Sequence, residues 1–155
     1  MPTSDGLLPA GKLPHDVLRR LLRRHTGGDD PRVLVGAGVG EDAAVIDFGA
    51  TCLVAKTDPI TFATDRIGWY AVHVNANDIA AMGATPRWFL ATVIVPEALA
   101  TEALFDDILG QIHAACDSLG VTVTGGHSEI SDCVDRPLVV GQMLGEGRRD
   151  AIVQS

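Results

Sequence analysis

Lysine is almost missing from this chain: Lys12 and Lys56 are its only two, set against 20 acidic residues and a net charge of −8. An acidic surface of that kind argues against a nucleic-acid groove or an anionic membrane as partner. Aromatic residues make up 5% of the sequence, so packing must rest mainly on Ala, Val, Leu and Ile. Cysteine is scarce too, at Cys52, Cys116 and Cys133. An odd count with no CxxC pair excludes a disulfide framework or zinc knuckle and leaves reduced, buried thiols as the expectation. No apolar run approaches the length needed to span a bilayer. The opening MPTSDGLLPAGK lacks a basic region followed by an apolar core, so it does not read as a signal peptide. A cytoplasmic location follows as an expectation.

What is present fits one globular domain: 155 residues, 46% of them hydrophobic, enough to bury a core. Residues 1–11 read as a loose leader and 12–150 as the domain. A helix is expected from about Pro14 to His25, closed by Gly27–Gly28. Its RRLLRR run (19–24) alternates with Leu18, Leu21 and Leu22, which makes it amphipathic with a solvated arginine face; a docking surface for another protein is the alternative. AAVIDF (43–48) and TCLVAKT (51–57) are separated only by Gly49–Ala50 and predict a hairpin. A helix from about Asp65 to Gly83 follows, then a strand at 86–95 rich in β-branched and aromatic residues. The segment 97–120 predicts a long helix stopped by Gly120, and 121–126 and 137–145 complete the strands. The order after the first helix is β-β-α-β-α-β-β. Its hairpin rules out a purely parallel sheet, so the fold class is α+β, with a mixed sheet of about four strands. Two helices cannot cover both faces of such a sheet, and the bare face predicts a dimer.

The helix before Gly83 raises a question of chemistry. At about 100° of rotation per residue, Ile67, Ala71, Val74, Asp78 and Met82 share one stripe, and Asp78 alone among them is charged. Asp42 directly follows GAGVGE and precedes AAVI; Asp58 ends TCLVAKT and precedes Pro59. Each carboxylate stands where a loop meets an apolar element, and a buried carboxylate needs a cation, a donor or exposure. Basic neighbours are few: Lys56, Arg66 and Arg87. Taken singly, each aspartate is an ordinary cap, turn former or exposed charge. Together they suit a divalent cation such as Mg²⁺, which takes hard oxygen ligands and phosphate oxygens.

The 17 glycines gather in GAGVG (36–40), GG (125–126) and GQMLGEG (141–147). Such clusters mark tight turns or, less often, backbone cradling a ligand. GAGVGED is neither a P-loop nor G-x-G-x-x-G, since Glu41 stands where the latter wants glycine. TGGHSE (124–129) reads as a strand ending in a glycine tip: either its N–H groups could hold a phosphate and Glu129 could ligate a metal, or it is a structural loop. His73 and His113 lie within helices and read as packing or solvent-facing residues.

GVGEDAAVI, the TDP at 57–59, NANDIAAMGATP and VTGGHSE, in this order and spacing, resemble the N-terminal domain of the AIR synthase superfamily over roughly Val33 to Gly147. That superfamily includes aminoimidazole ribonucleotide synthase, thiamine-monophosphate kinase, selenophosphate synthetase and the hydrogenase-maturation protein HypE. The resemblance implies ATP-dependent activation of an oxygen atom by phosphorylation. It implies N-terminal domains paired as a homodimer whose strands close a barrel, with Mg-ATP in clefts beside the interface. Carried over, Asp42, Asp58 and Asp78 are the Mg²⁺ ligands. Asn77, Gly38 and Gly40 of the 36–40 loop, Gly125, Gly126, His127 and Glu129 become nucleotide neighbours.

Departures accompany the likeness. Glu41–Asp42 replaces a frequent pair of aspartates, and His127-Ser128-Glu129 replaces an acidic residue followed by threonine. The GGHSE form with RPLVVGQMLG beyond it is nearer the AIR-synthase-related and hydrogenase-maturation branches, although the chain ends AIVQS without the C-terminal cysteine of the latter. Family members carry a second domain that completes the substrate cleft, and this sequence stops about where that domain should begin, as an excised domain would. Two functions follow from the resemblance. One is the ATP-binding half of an enzyme, inactive alone, whose small-molecule or protein-tail acceptor binds the second domain. The other is a non-catalytic dimerisation or metalloenzyme-maturation partner module.

Overall fold

A computed structural model describes residues 7–26, 28, 30–63 and 65–153. Helix α1 spans His15–His25; strands β1 (Val33–Val35), β2 (Ala44–Asp47) and β3 (Thr51–Ile60) follow. Helix α2 (Ile67–Ala81), β4 (Thr85–Pro96), α3 (Glu102–Leu119), β5 (Thr122–Ser131) and β6 (Leu138–Arg148) complete the order. The expected Gly27–Gly28 stop after α1 falls partly outside the described residues. Within them Thr26 closes the helix, its backbone N–H and hydroxyl both donating to the Leu22 carbonyl. The first six residues of the expected leader likewise lie outside.

The six strands form one mixed sheet in the order β1-β2-β3-β6-β4-β5, with β4–β5 its parallel pair. The expected count of about four is thus too low: the expected element order itself holds five strands, and the sixth is the VLV edge triplet, too short for sequence periodicity to reveal, which pairs Val33 with Ile46. The β2–β3 hairpin forms as expected, Asp47 opposite Cys52. The segment 97–120 divides: Glu97–Leu99 makes a short 3₁₀ turn, and α3 starts afresh where the Thr101 hydroxyl accepts from Leu104 N–H at 3.2 Å. Gly120, at φ 66°, closes it.

Helices α2 and α3 pack on one sheet face. Cys52, Val54 and Ile60 of β3, Phe89, Val93 and Val95 of β4, and Val139 and Met143 of β6 point into that layer and are buried. Helix α2 buries about half of its circumference, because it packs against both the sheet and α3. The glycines of GQMLGEG lie within β6, as the expected strand 137–145 placed Gly141 and Gly145. Those two face α2, where a Cβ at Gly141 would meet the Asn75 amide and one at Gly145 the Ile79 methyl. Their lack of a side chain lets helix and strand backbones approach. On the opposite face, Leu53, Ala55, Leu90, Ile94, Val140 and Leu144 stay half-buried, with no described element stacked on them.

The Gly125–Gly126 pair also differs from expectation. The strand does not end there: β5 runs on to Ser131, pairing Ala91 with Gly126 and Ile94 with Glu129. A side chain at Gly126 would collide with the Ala91 carbonyl, so the glycine serves strand pairing. Two thiols are buried as expected, and burial pushes Cys116 up to about 11. Cys133 is exposed, because it lies on the connection between β5 and β6 rather than in an element. Among the described residues no helix is long and apolar enough to cross a membrane.

Candidate functional site

Strand β2 stops at Ala44, opposite Ala55, so the second half of β3 has no neighbour on that side. The glycine loop 36–43 folds into this gap, and α1 leans over it. Between them opens a cleft of about 590 Å³ lined by Leu18, Gly38, Glu41, Asp42, Lys56 and Thr57, among others. Gly40 takes φ +94°, a conformation that turns the loop and that side-chain-bearing residues rarely adopt.

Lys56 stands at the centre. Its ammonium lies 2.7 Å from Asp78 Oδ2 and 3.5 Å from Asp58 Oδ2. The lysine side chain is 16% exposed, Asp78 25% and Asp58 35%. Asp78 therefore occupies the flank of α2 that looks toward β3, rather than the middle of its buried face. That answers why a carboxylate can share a stripe with Ile67 and Ala71. Burial pushes the lysine toward neutrality, but the hydrogen bond and charge of Asp78, then of Asp58, outweigh it and raise its pKa. A raised lysine pKa contributes stability in full below the unfolded value of about 10.4, and that stability is lost as pH climbs through the folded value. Lys56 therefore stays charged near neutrality. Lys56→Met should cost about 1–2 kcal/mol in urea unfolding, between the values for exposed and buried pairs. A loss below about 0.3 kcal/mol would mean that the pair is dispensable.

One buried polar residue ties the two carboxylate-bearing elements together. Asn75, 0% exposed, donates from Nδ2 to the Ala71 carbonyl at 2.8 Å and to the Asp58 carbonyl at 3.4 Å. Thr57 Oγ1 donates to the Gly141 carbonyl at 3.0 Å on the next strand. Helix α2, β3 and β6 are thus locked at the level where Asp58 and Asp78 meet Lys56.

The expected site residues divide into two groups. Asp58 and Asp78 converge on Lys56, and Lys56 shares its cleft with Asp42 and with Gly36, Ala37 and Gly38 of the loop; Gly40 is not among the residues lining that cleft. Asn77 is exposed on α2, beside Asp78 in sequence. Gly125, Gly126, His127 and Glu129 lie on edge strand β5, with β6 and β4 between them and β3, about 14 Å away at three strand spacings. His127 and Glu129 face each other, Nε2 to Oε2 at 3.3 Å, in solvent. His73 stacks on Trp69 with ring centroids 3.8 Å apart, and His113 is exposed beside Asp117 at 3.4 Å. Lys56 is the residue that sequence reasoning undervalued, as a mere candidate partner. Asn75 carried no signal beyond being a polar residue amid Ala71, Val72 and Ala76.

Among the described residues no three His, Cys, Asp or Glu side chains gather closely enough to form a metal cluster by themselves. The two carboxylates that do converge nevertheless suit Mg²⁺, which is usually held by one or two carboxylates with water and phosphate oxygens filling the rest. They already share one cation, the lysine ammonium.

A mixed sheet with its helices on one face, and acidic side chains gathered at a glycine loop, defines a PurM-like α+β domain. The chain belongs to the family described as AIR synthase related protein, N-terminal domain, which matches residues 40–146. It is 32% identical over 140 residues to the thiamine-monophosphate kinase of Archaeoglobus fulgidus, covering 85% of this chain and 44% of that protein. To the selenide, water dikinase of Dechloromonas aromatica it is 33% identical over 122 residues, covering 76% and 35%. Among solved structures, hydrogenase maturation protein HypE in complex with ATP superposes with a TM-score of 0.59 at 26% identity, over 94% of this chain and 43% of that one. The chain spans less than half the length of the curated relatives it matches.

Proposed function

We propose that this domain binds Mg-ATP in the cleft around Lys56, as the nucleotide-holding half of an enzyme that phosphorylates an oxygen of its acceptor. The observation that carries this reading is the convergence of Asp58, from β3, and Asp78, from α2, on one cation beside the glycine loop. Magnesium held by Asp58 and Asp78, with Asp42 across the cleft, would neutralise the phosphate charge of the nucleotide. The loop at Gly38 and Gly40 offers backbone N–H groups to phosphate oxygens. With Asp58 and Asp78 holding the metal, the Lys56 ammonium would be free to meet the same phosphates. Positioning and charge neutralisation then supply most of what phosphoryl transfer needs. The relatives support this: two are named kinases, and one neighbour was solved with ATP.

The acceptor, a small molecule or a protein tail, belongs in this reading to a second domain, and the protein works in the cytoplasm. Two copies pair through the uncovered sheet face carrying Leu53, Leu90 and Leu144, which would form the homodimer. The same apolar face favours the second reading, a pairing or maturation-partner module that makes little use of nucleotide.

Calorimetric titration separates the two. ATP should bind saturably with Mg²⁺ present and lose that binding when the metal is chelated. Equal, weak heats with and without Mg²⁺ in a folded, dimeric sample would leave only the pairing module standing.

A further inference from the structure

The arginines of α1 do more than keep a helix face soluble. Leu18 and Leu22, one turn apart, form the seam that α1 turns toward the glycine loop, and both are half-buried. Arg19 and Arg23 stand on one side of that seam, about 100° round from the leucines; Arg20 and Arg24 lie about 100° further on. The first pair lines a second hollow of about 280 Å³, together with Ala37, Gly38 and Val39. Gly38 walls both hollows, so the arginine hollow and the Lys56 cleft adjoin across the tip of one loop.

The ion pairs of the chain make the contrast. Arg32, Arg87, Arg136, Arg148 and Arg149 each reach a carboxylate, and Arg66 lies over the Trp69 ring. No described carboxylate pairs with any of the four α1 arginines. In a chain of net charge −8, two arginines lining a hollow walled by a glycine loop favour an anion. Planar guanidinium donors suit phosphate oxygens in particular.

We infer that α1 is a phosphate-binding arm: Arg19 and Arg23 grip the terminal phosphates of a polyphosphate whose remainder lies in the Lys56 cleft. The inference rests on the nucleotide reading for the identity of that polyphosphate, but not for the anion site itself.

The test compares the wild-type chain with Arg19→Gln/Arg23→Gln and with Arg20→Gln/Arg24→Gln, which carries the same charge change on the opposite side. All are exposed positions, and circular dichroism checks that α1 survives. Each protein is titrated with Mg-ATP and, separately, with inorganic tripolyphosphate under chelation. The 19/23 pair should weaken both ligands by at least about tenfold, while the 20/24 pair changes them less than about twofold; Arg19→Lys/Arg23→Lys should recover part of the loss. Equal weakening by both pairs would reduce the effect to long-range charge and overturn the arm. Mg-ATP binding untouched by the 19/23 change would also overturn the arm and leave the nucleotide reading in place. Tripolyphosphate binding that depends on Arg19 and Arg23 without any Mg-ATP binding would keep the arm and remove that reading. No binding of either ligand removes both.

Discussion

Asp78→Asn should lower Mg-ATP affinity by at least about 100-fold, equivalent to about 2.7 kcal/mol, while the domain stays folded. The size follows from what is removed. Asp78 supplies one of two carboxylates that converge, and its oxygen makes the shorter contact to the shared cation, 2.7 Å against 3.5 Å for Asp58. An amide oxygen in its place keeps the shape and a hydrogen-bond acceptor but loses the charge that holds a hard divalent ion. The effect on stability should be smaller, about 1 kcal/mol, because the pair is partly solvated and Asp58 remains beside the lysine. Measuring both quantities on the same protein is what gives the result meaning. An affinity loss no larger than the stability loss would mean that Asp78 merely braces Lys56.

Gly145→Val should destabilise the domain by about 3 kcal/mol or more, at the upper end of what overpacking a core costs. For a domain of this size that is a fall in Tm of about 6–12 °C. A Cβ at this position would point at the Ile79 methyl and lie 2.9 Å from the Thr85 carbonyl oxygen. Neither can retreat freely: Ile79 is fully buried in α2, and Thr85 begins the strand paired with β6 at Glu146. Helix α2 would have to lift from β6, carrying Asp78 away from Lys56. Stability and nucleotide binding should therefore fall together, unlike the asparagine variant. An unfolding free energy from urea titration lowered by less than about 0.5 kcal/mol would show that the helix has slack over β6.

The elements that sequence made legible are those bounded by punctuation. Gly49–Ala50 between two apolar runs gives the β2–β3 hairpin, and Gly120 gives the end of α3. The same logic misled at Gly125–Gly126, because a glycine required for close approach to the Ala91 carbonyl looks, in one dimension, like a glycine required for a turn. At Gly141 and Gly145 the expected strand 137–145 forms, but the reason for its glycines, a helix more than 60 residues earlier, was not legible. Of the candidate site, the oddity of Asp78 was visible as a break in a stripe. Its partner was legible only as one of three basic candidates, since Lys56 meets it because α2 crosses β3 on the helix face of the sheet. The separation of the 125–129 segment from the other expected residues depends on strand order, and local pattern does not reveal strand order.

Strand β6 lies in the middle of the sheet yet is the last of the six to be made. It pairs Thr51 through Ile60 with Arg148 through Val139 on one side, and Thr85 through Ile94 with Glu146 through Leu138 on the other. Without it the sheet is two separate fragments, β1-β2-β3 and β4-β5, and α2 has lost the surface its glycine-facing side is cut to fit. On the ribosome, then, the nascent chain cannot close its core until residue 148 has emerged; at about 5–20 residues per second, earlier segments wait several seconds with apolar strands unpaired. Such an order of assembly makes the carboxylate cleft a late product of folding and leaves unpaired strand edges open to aggregation while the chain waits.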